Sequence, residues 1–359
     1  MEIKWAIMGV VAILLVCPQQ TRAEGDYDIV LSGYLDDVEL ASDGQSASET
    51  GWEESCGGDP CCPPDWVVFG ELMYLRPRKA GVAYAVPVNG AIVPPPTPPI
   101  QVGPTALVDP TYEPGFRLGF GRALNDCSTL MATWSHYESH TTDAITATAP
   151  IVLRSLVSHP STLAAASDYL DATAGYDLDF DLVDIDYRRI FSAGPQHTLT
   201  WLVGVRYAGL QQEFDSTFTS LGTQTVQTEM NFDGGGIRLG LEGECRDCNT
   251  GFLLYSRAAA SFVAGQFRGH YFQGQTFDPL VVDTNWDAAW AVSMLDLELG
   301  VGWSSPCDTV RCTIGYMFSG WYDVVQPGDY IEAVRANGYR GLGESLVFDG
   351  LTTRVEVRF

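Results

Sequence analysis

Between Tyr176 and Arg189 the chain reads Tyr-Asp-Leu-Asp-Phe-Asp-Leu-Val-Asp-Ile-Asp-Tyr-Arg-Arg, a density of carboxylates that could line an ion path. Asp177, Asp179 and Asp181 alternate with Leu178 and Phe180, and Asp184 and Asp186 alternate with Val183, Ile185 and Tyr187. Where such a ladder narrows a water-filled pore, it selects cations. Further charges recur at alternate positions of other apolar segments. Glu242, Asp296 and Glu298 are the acids, and Arg117, Arg206, Arg238, Arg257 and Arg354 the bases; Glu71, Arg188, Glu356 and Arg358 extend both sets. With both signs in comparable number, the simpler expectation is a network of ion pairs across an enclosed space. An unpaired charge there would be costly.

Other chemistry is thinner. The five histidines are His136, His140, His159, His197 and His270, none within two residues of an Asp in sequence. A barrel hydrolase would need an Asp–His or Ser–His contact made in space at the outer rim. Eight cysteines follow the first twenty residues, at 56, 61, 62, 127, 245, 248, 307 and 312. An even number in an oxidising compartment points to disulfides, with connectivity open. Cys307 and Cys312 could face each other across one hairpin. Cys245-x-x-Cys248 has the spacing of half a zinc site, but no second pair of that spacing accompanies it, so no metal is expected. Gly234-Gly235-Gly236 precedes a strand-like run rather than a helix, which excludes a phosphate cradle. No cofactor is expected.

These side chains must be positioned by strands. The last ten residues, Gly350 to Phe359, alternate without interruption: Leu351, Thr353, Val355, Val357 and Phe359 against Thr352, Arg354, Glu356 and Arg358. Ten residues of period two suit a tilted strand crossing a bilayer. Similar runs occupy 66–76, 115–123, 128–137, 176–190, 198–209, 237–242, 251–263, 286–303 and 309–322. In 176–190 the apolar parity flips after Leu182, and a one-residue bulge there would keep both apolar sets on lipid. The connections at 77–114, 138–175, 211–229, 264–285 and 323–345 are long, and those between are a few residues. Pro160 to Ala166 reads as a short capped helix within the second of the long ones. This sorting predicts an all-β fold: a transmembrane antiparallel up-and-down barrel of about ten strands, with long extracellular loops and short periplasmic turns. Val82–Val88 and Phe267–Phe272 could add a hairpin and make twelve.

The ends are of another kind. Met1–Ala23 has one early Lys, an apolar core and a small-residue end, which is the pattern of a secretory signal. Residues 24–65 carry twelve acidic side chains and no Lys or Arg, so a solvated periplasmic leader is expected before a barrel at 66–359. Net charge is −25, from 45 acidic and 20 basic residues, which excludes nucleic acid as a partner. The expected location is the outer membrane, with its lipid bilayer as the principal partner and lipopolysaccharide or surface partners outside.

Phe69 to Pro77 (FGELMYLRP), Tyr176 to Arg189 (YDLDFDLVDIDYRR), Trp201 to Tyr207 (WLVGVRY) and the terminal Phe resemble the Legionella-type pore-forming outer-membrane proteins, akin to major outer-membrane porins. The resemblance covers about Trp66 to Phe359. It implies an outer-membrane barrel with passage of ions or small solutes as its activity, and a terminal aromatic, here Phe359, that the barrel-assembly machinery reads. It carries no catalytic residue, and the chain is read as a non-enzyme. Against an open pore stands the strand number. Barrels of about eight strands fill with their own side chains, and aqueous channels come with about sixteen or more. Three functions therefore compete: a narrow porin-like channel, a structural or surface-interacting barrel without a pore, and an outer-membrane hydrolase.

Overall fold

The computed structural model describes residues 65–90, 99–194, 196–247, 249–276, 278–306 and 308–359. The signal and nearly all of the leader, Cys56, Cys61, Cys62, Cys248, Cys307 and most of the proline run lie outside them. Among the described residues thirteen strands form: β1 (Trp66–Arg78), β2 (Val82–Val88), β3 (Ala106–Val108), β4 (Glu113–Asn125), β5 (Ser128–Thr146), β6 (Val152–Ser155), β7 (Asp171–Ala193), β8 (His197–Thr219), β9 (Thr223–Arg246), β10 (Phe252–Gln275), β11 (Asp278–Ser304), β12 (Val310–Val324) and β13 (Glu344–Arg358). Ten of them close an antiparallel barrel in the order β1-β13-β12-β11-β10-β9-β8-β7-β5-β4, with β4 returning to β1. The twelve-strand alternative falls away. Val82–Val88 belongs to a separate sheet, β3-β2-β6, and Phe267–Phe272 lies inside β10. The barrel closes at the last residue, where Trp66 N donates to Phe359 O at 2.8 Å and Phe359 N to Trp66 O at 3.0 Å.

Strand lengths differ around the barrel. β1 and β4 have 13 residues, whereas β9 and β10 have 24 and β11 has 27. At about 3.4 Å per residue, 24 residues extend roughly 80 Å, far more than a tilted strand needs to cross an apolar band about 25 Å tall. The excess forms a sleeve outside the membrane. Hence 211–229 and 264–285, expected as loops, are strand: β8 and β9 meet across Ser220-Leu221-Gly222, with pairing from Thr219↔Thr223 inward. The remaining long connections fold over the sleeve. The first holds β2 and β3, the second holds β6 and a 3-10 turn at Leu163–Ala166 in place of the expected capped helix, and the last holds a helix, Pro327–Ala336. That helix packs on β2, β8, β9 and β10.

The expected bulge near Leu182 is absent. β7 pairs with β5 and β8 without a register shift from Asp171 to Arg189. The parity flips because the solvent outside the barrel changes, while the backbone stays regular. Within the membrane Val183 and Ile185 face lipid and Asp184 and Asp186 face in; above it Leu178, Phe180 and Leu182 face in and the alternating Asp residues face water. β8 and β9 repeat the exchange, with Val203, Val205, Ile237 and Leu239 exposed to lipid, and Leu210, Phe214, Met230 and Phe232 buried inside the sleeve. The sleeve is packed like a soluble protein, apolar inside.

Leu221, fully exposed at the β8–β9 tip, tests this orientation. Leu221→Cys should react on intact cells with a maleimide that cannot cross the outer membrane, while Cys312, among lipid-facing residues near the periplasmic end, should not. Reversed labelling would mean that the barrel sits the other way up.

Candidate functional site

The inward side chains of the membrane portion form a belt of ion pairs, built by register. Asp184 stands opposite Arg206, Glu71 opposite both Arg117 and Arg354, and Arg257 opposite both Glu242 and Glu298. Arg206 donates through Nε and Nη2 to Asp184 at 2.6 and 2.8 Å, and through Nη1 to Asp296 at 2.8 Å. Arg238 also binds Asp184. Glu71 accepts from Arg117 and Arg354, each at 2.7 Å. Glu298 accepts from Tyr255 at 2.7 Å and Arg257 at 3.1 Å, and Arg188 lies 3.1 Å from Glu242 and 3.6 Å from Asp186. Both partners of the Arg206–Asp184 pair are almost wholly buried. The Arg354 guanidinium lies 3.7 Å from the centre of the Phe69 ring. That ring fits because residue 119 is glycine; a Cβ there would fall 2.0 Å from it. Among these side chains lies a cavity of ≈ 50 Å³ bordered by Arg117, Arg188, Arg238, Arg257, Glu242 and Asp296. It would hold about three to five waters.

Above the belt lies an aromatic layer. Tyr137, Phe180, Trp321 and Phe348 pack with ring centroids 4.9 to 5.8 Å apart, as edge-on, tilted and stacked pairs. They come from β5, β7, β12 and β13, so this layer is carried by the wall itself and not by a loop. Farther out, Phe214, Phe232, Phe267 and Tyr271 fill the sleeve, and the helix covers it with Tyr330, Ile331 and Val334. Tyr330 seats on Gly269, where a Cβ would approach its ring to 2.9 Å, and its hydroxyl donates to Gly269 O at 3.3 Å.

At the periplasmic mouth Asp308 accepts from Arg311 at 2.5 Å and Arg358 at 2.6 Å, with Arg246 at 3.5 Å. Arg311 also reaches Glu244 at 2.6 Å. Phe359 is exposed at the end of the lipid-facing row.

Of the sequence candidates, Asp184, Asp186, Glu242, Asp296, Glu298, Arg117, Arg206, Arg238, Arg257 and Arg354 all stand in the belt. Asp177, Asp179 and Asp181 do not. They face outward on the sleeve, because the parity of β7 is continuous and its outer half stands in water. Asp181 accepts from Trp134 at 3.0 Å and lies 3.1 Å from His136 Nδ1, and Asp177 contacts His140. The expected Cys307–Cys312 pairing is corrected too: Cys312 is a free, exposed thiol, turned to the lipid side with Val310 and Ile314. Cys127 and Cys245 are not free. Among the described residues no three His, Cys, Asp or Glu converge as a metal site. Sequence reasoning missed the aromatic layer, although the parity flip after Leu182 was its signal. The rim His–Asp contacts His136–Asp181, His140–Asp177 and His270–Asp283 were legible only as separate residues.

The model of the family described as Legionella pneumophila major outer membrane protein precursor matches residues 59–356. No curated protein matches the chain. Among solved structures, the outer membrane protease OmpT from Escherichia coli is similar at TM-score 0.50 and 11% identity, covering 82% of this chain and 97% of that one. The P. putida toluene transporter TodX is similar at TM-score 0.31 and 7% identity, covering 83% and 91%. A Pseudomonas aeruginosa FadL homologue gives 0.23 and 9%, covering 81% and 89%. At 11% identity the likeness to OmpT establishes the barrel fold alone.

Proposed function

This chain belongs to the Legionella major outer membrane protein family and resides in the outer membrane, and on that premise we propose that it is a sealed barrel whose work is done by its extracellular sleeve. The observation that supports this reading is a pair of side-chain layers inside the barrel. The ion-pair belt borders a cavity of about 50 Å³, and the wall-borne layer of Tyr137, Phe180, Trp321 and Phe348 stands above it. Such a protein links the envelope to its surroundings through the sleeve and the segments folded over it. Lipopolysaccharide and extracellular macromolecules are the partners in reach. Passage of ions or small solutes would require both layers to part at once.

The hydrolase reading has the three His–Asp contacts in its favour. They sit apart on the convex outer wall, between neighbouring strands. Among the described residues none of these histidines bonds a serine or threonine hydroxyl, so no Ser–His pair is formed, and the hydrolase reading rests on three separate Asp–His contacts. We therefore assign no catalytic step. Proteoliposomes carrying the refolded protein should show no swelling in small sugars or amino acids beyond that of protein-free liposomes. Swelling comparable to that of a general porin would overturn the sealed reading.

A further inference from the structure

On the outer wall of the sleeve, strand register sets five ionisable side chains in one line. His140 on β5 stands opposite Asp177 on β7, Asp177 opposite Glu213 on β8, Glu213 opposite Glu229 on β9, and Glu229 opposite His270 on β10. The line ends at β11, where His270 Nε2 lies 3.0 Å from Asp283. One step nearer the membrane, Glu138 stands opposite Asp179. Like charges directly opposite on antiparallel strands repel. Glu213 has a carboxylate across from it on both sides. The outward positions next to it are Asp179 and Gly175 on β7, Gln227 and Asn231 on β9, and Gln211 and Asp215 on its own strand. None of these is Lys or Arg; the cationic groups two strands away are His140, held by Asp177, and His270 and Arg268 on β10, held by Asp283 and Asp233. Six residues separate Glu213 from Tyr207 in the lipid-facing row, roughly 20 Å along the strand, so the line stands in water.

We propose that this line is a proton-operated stiffener of the sleeve: acidification removes the repulsion between β7, β8 and β9 and tightens the hairpin that β8 and β9 form. The sleeve is thus least stable at neutral pH and firmer in acid, whether or not the lumen conducts. The electrostatics agree in sign. Burial, then Glu229, Asp177 and Asp215, pushes the Glu213 carboxyl up. Burial and Asp177 raise Asp215 against the opposing effect of His140. Burial and Glu138 raise Asp179, with His136 opposing. A carboxyl raised on folding weakens the fold as pH climbs through its titration, so its protonation stabilises. The hydrogen bond to Asp177 raises His140, whose stabilising charge is present in acid and lost as pH rises through its folded value. The periplasmic end has the reverse sign. Burial pushes Asp308 up, but the Arg311 hydrogen bond and the Arg358, Arg311 and Arg246 charges outweigh it, so acid weakens that mouth.

The test must therefore be local. Amide exchange of the folded protein in nanodiscs would be read by segment over 205–235, at about pH 7.5 and about pH 5, each corrected for intrinsic exchange. The wild type should open about three- to tenfold less often in acid, the effect of relieving two like-charge cross-strand pairs. Glu213→Gln keeps the shape and should bring protection at the higher pH close to the acid level; Glu229→Gln, from the other side of the line, should do the same. Unchanged or faster opening of the wild type in acid would overturn the proposal. So would two folded variants that exchange like the wild type at about pH 7.5.

Discussion

Arg206→Ala is expected to cost about 3–5 kcal/mol of barrel stability, the loss found when one member of a buried ion network is removed. Arg206 is the hub of the upper belt, holding Asp184 through two hydrogen bonds and Asp296 through a third. Without it, Asp184 depends on Arg238, while Asp296 keeps the Ser319 hydroxyl at 2.6 Å and has Arg238 only at 3.9 Å. The few waters that the adjoining cavity of ≈ 50 Å³ can hold are neutral donors and do not replace the lost positive charge. Denaturant unfolding in detergent micelles, followed by the mobility shift between heated and unheated protein, would measure the loss. The variant should nonetheless stay closed. Even Arg206→Ala with Arg238→Ala leaves Tyr137, Phe180, Trp321 and Phe348 in place above the vacated belt. A sequence-based expectation in which the carboxylates alone formed the constriction would have these two substitutions open a cation path. On the sealed reading proposed above, the aromatic layer keeps that path shut.

Deletion of Val357–Phe359 should have the larger effect on assembly, leaving essentially no barrel in the outer membrane. The three residues carry the end of both seams. Val357 pairs with Val68 on one side and Val310 on the other, and Arg358 pairs with Val67. Phe359 exchanges two hydrogen bonds with Trp66, Arg358 N donates to Thr309 O, and the Arg358 guanidinium is bound by Asp308. Their removal leaves an open strand edge at the lipid boundary, where unpaired backbone groups are not tolerated. Fractionation and protease sensitivity would show the truncated chain in the periplasm. Normal amounts of heat-modifiable barrel in the outer membrane would contradict this account of the seam.

How much of this was legible from the sequence depends on which solvent a strand meets. Where the outside is lipid, apolar residues point out and charges point in. Period-two reading therefore placed Arg117, Arg206, Arg238, Arg257, Arg354, Asp184, Asp186, Glu242, Asp296 and Glu298 correctly inside. Beyond the membrane the rule inverts. Period two alone puts Asp177, Asp179 and Asp181 in the lumen, because it turns Tyr176, Leu178, Phe180 and Leu182 to lipid. The break in parity between Leu182 and Val183 looked like a bulge, and it is in fact the level at which the bilayer ends. The polar, Thr-rich outer parts of β8 and β9 looked like a loop for the same reason. Their inward row of Leu210, Phe214, Phe218, Val226 and Met230 is interrupted by Gln212, Ser216, Gln224 and Thr228, all buried, of which Gln212 donates to Val325 O and Gln224 to Ser158 in the segments folded into the mouth. Contacts between residues far apart in sequence, such as His140–Asp177 or the four-ring layer, have no signature in local spacing. They follow only once register is fixed.

The central claim is that the lumen is shut by the wall itself, and single-channel recording of the refolded protein in a planar bilayer tests it most directly. In symmetric molar salt, wild-type protein should give conductance far below that of a general porin, with no steady open level. The Arg206→Ala with Arg238→Ala variant, where it folds, should remain as quiet. Steady porin-sized openings from the wild type would contradict the account.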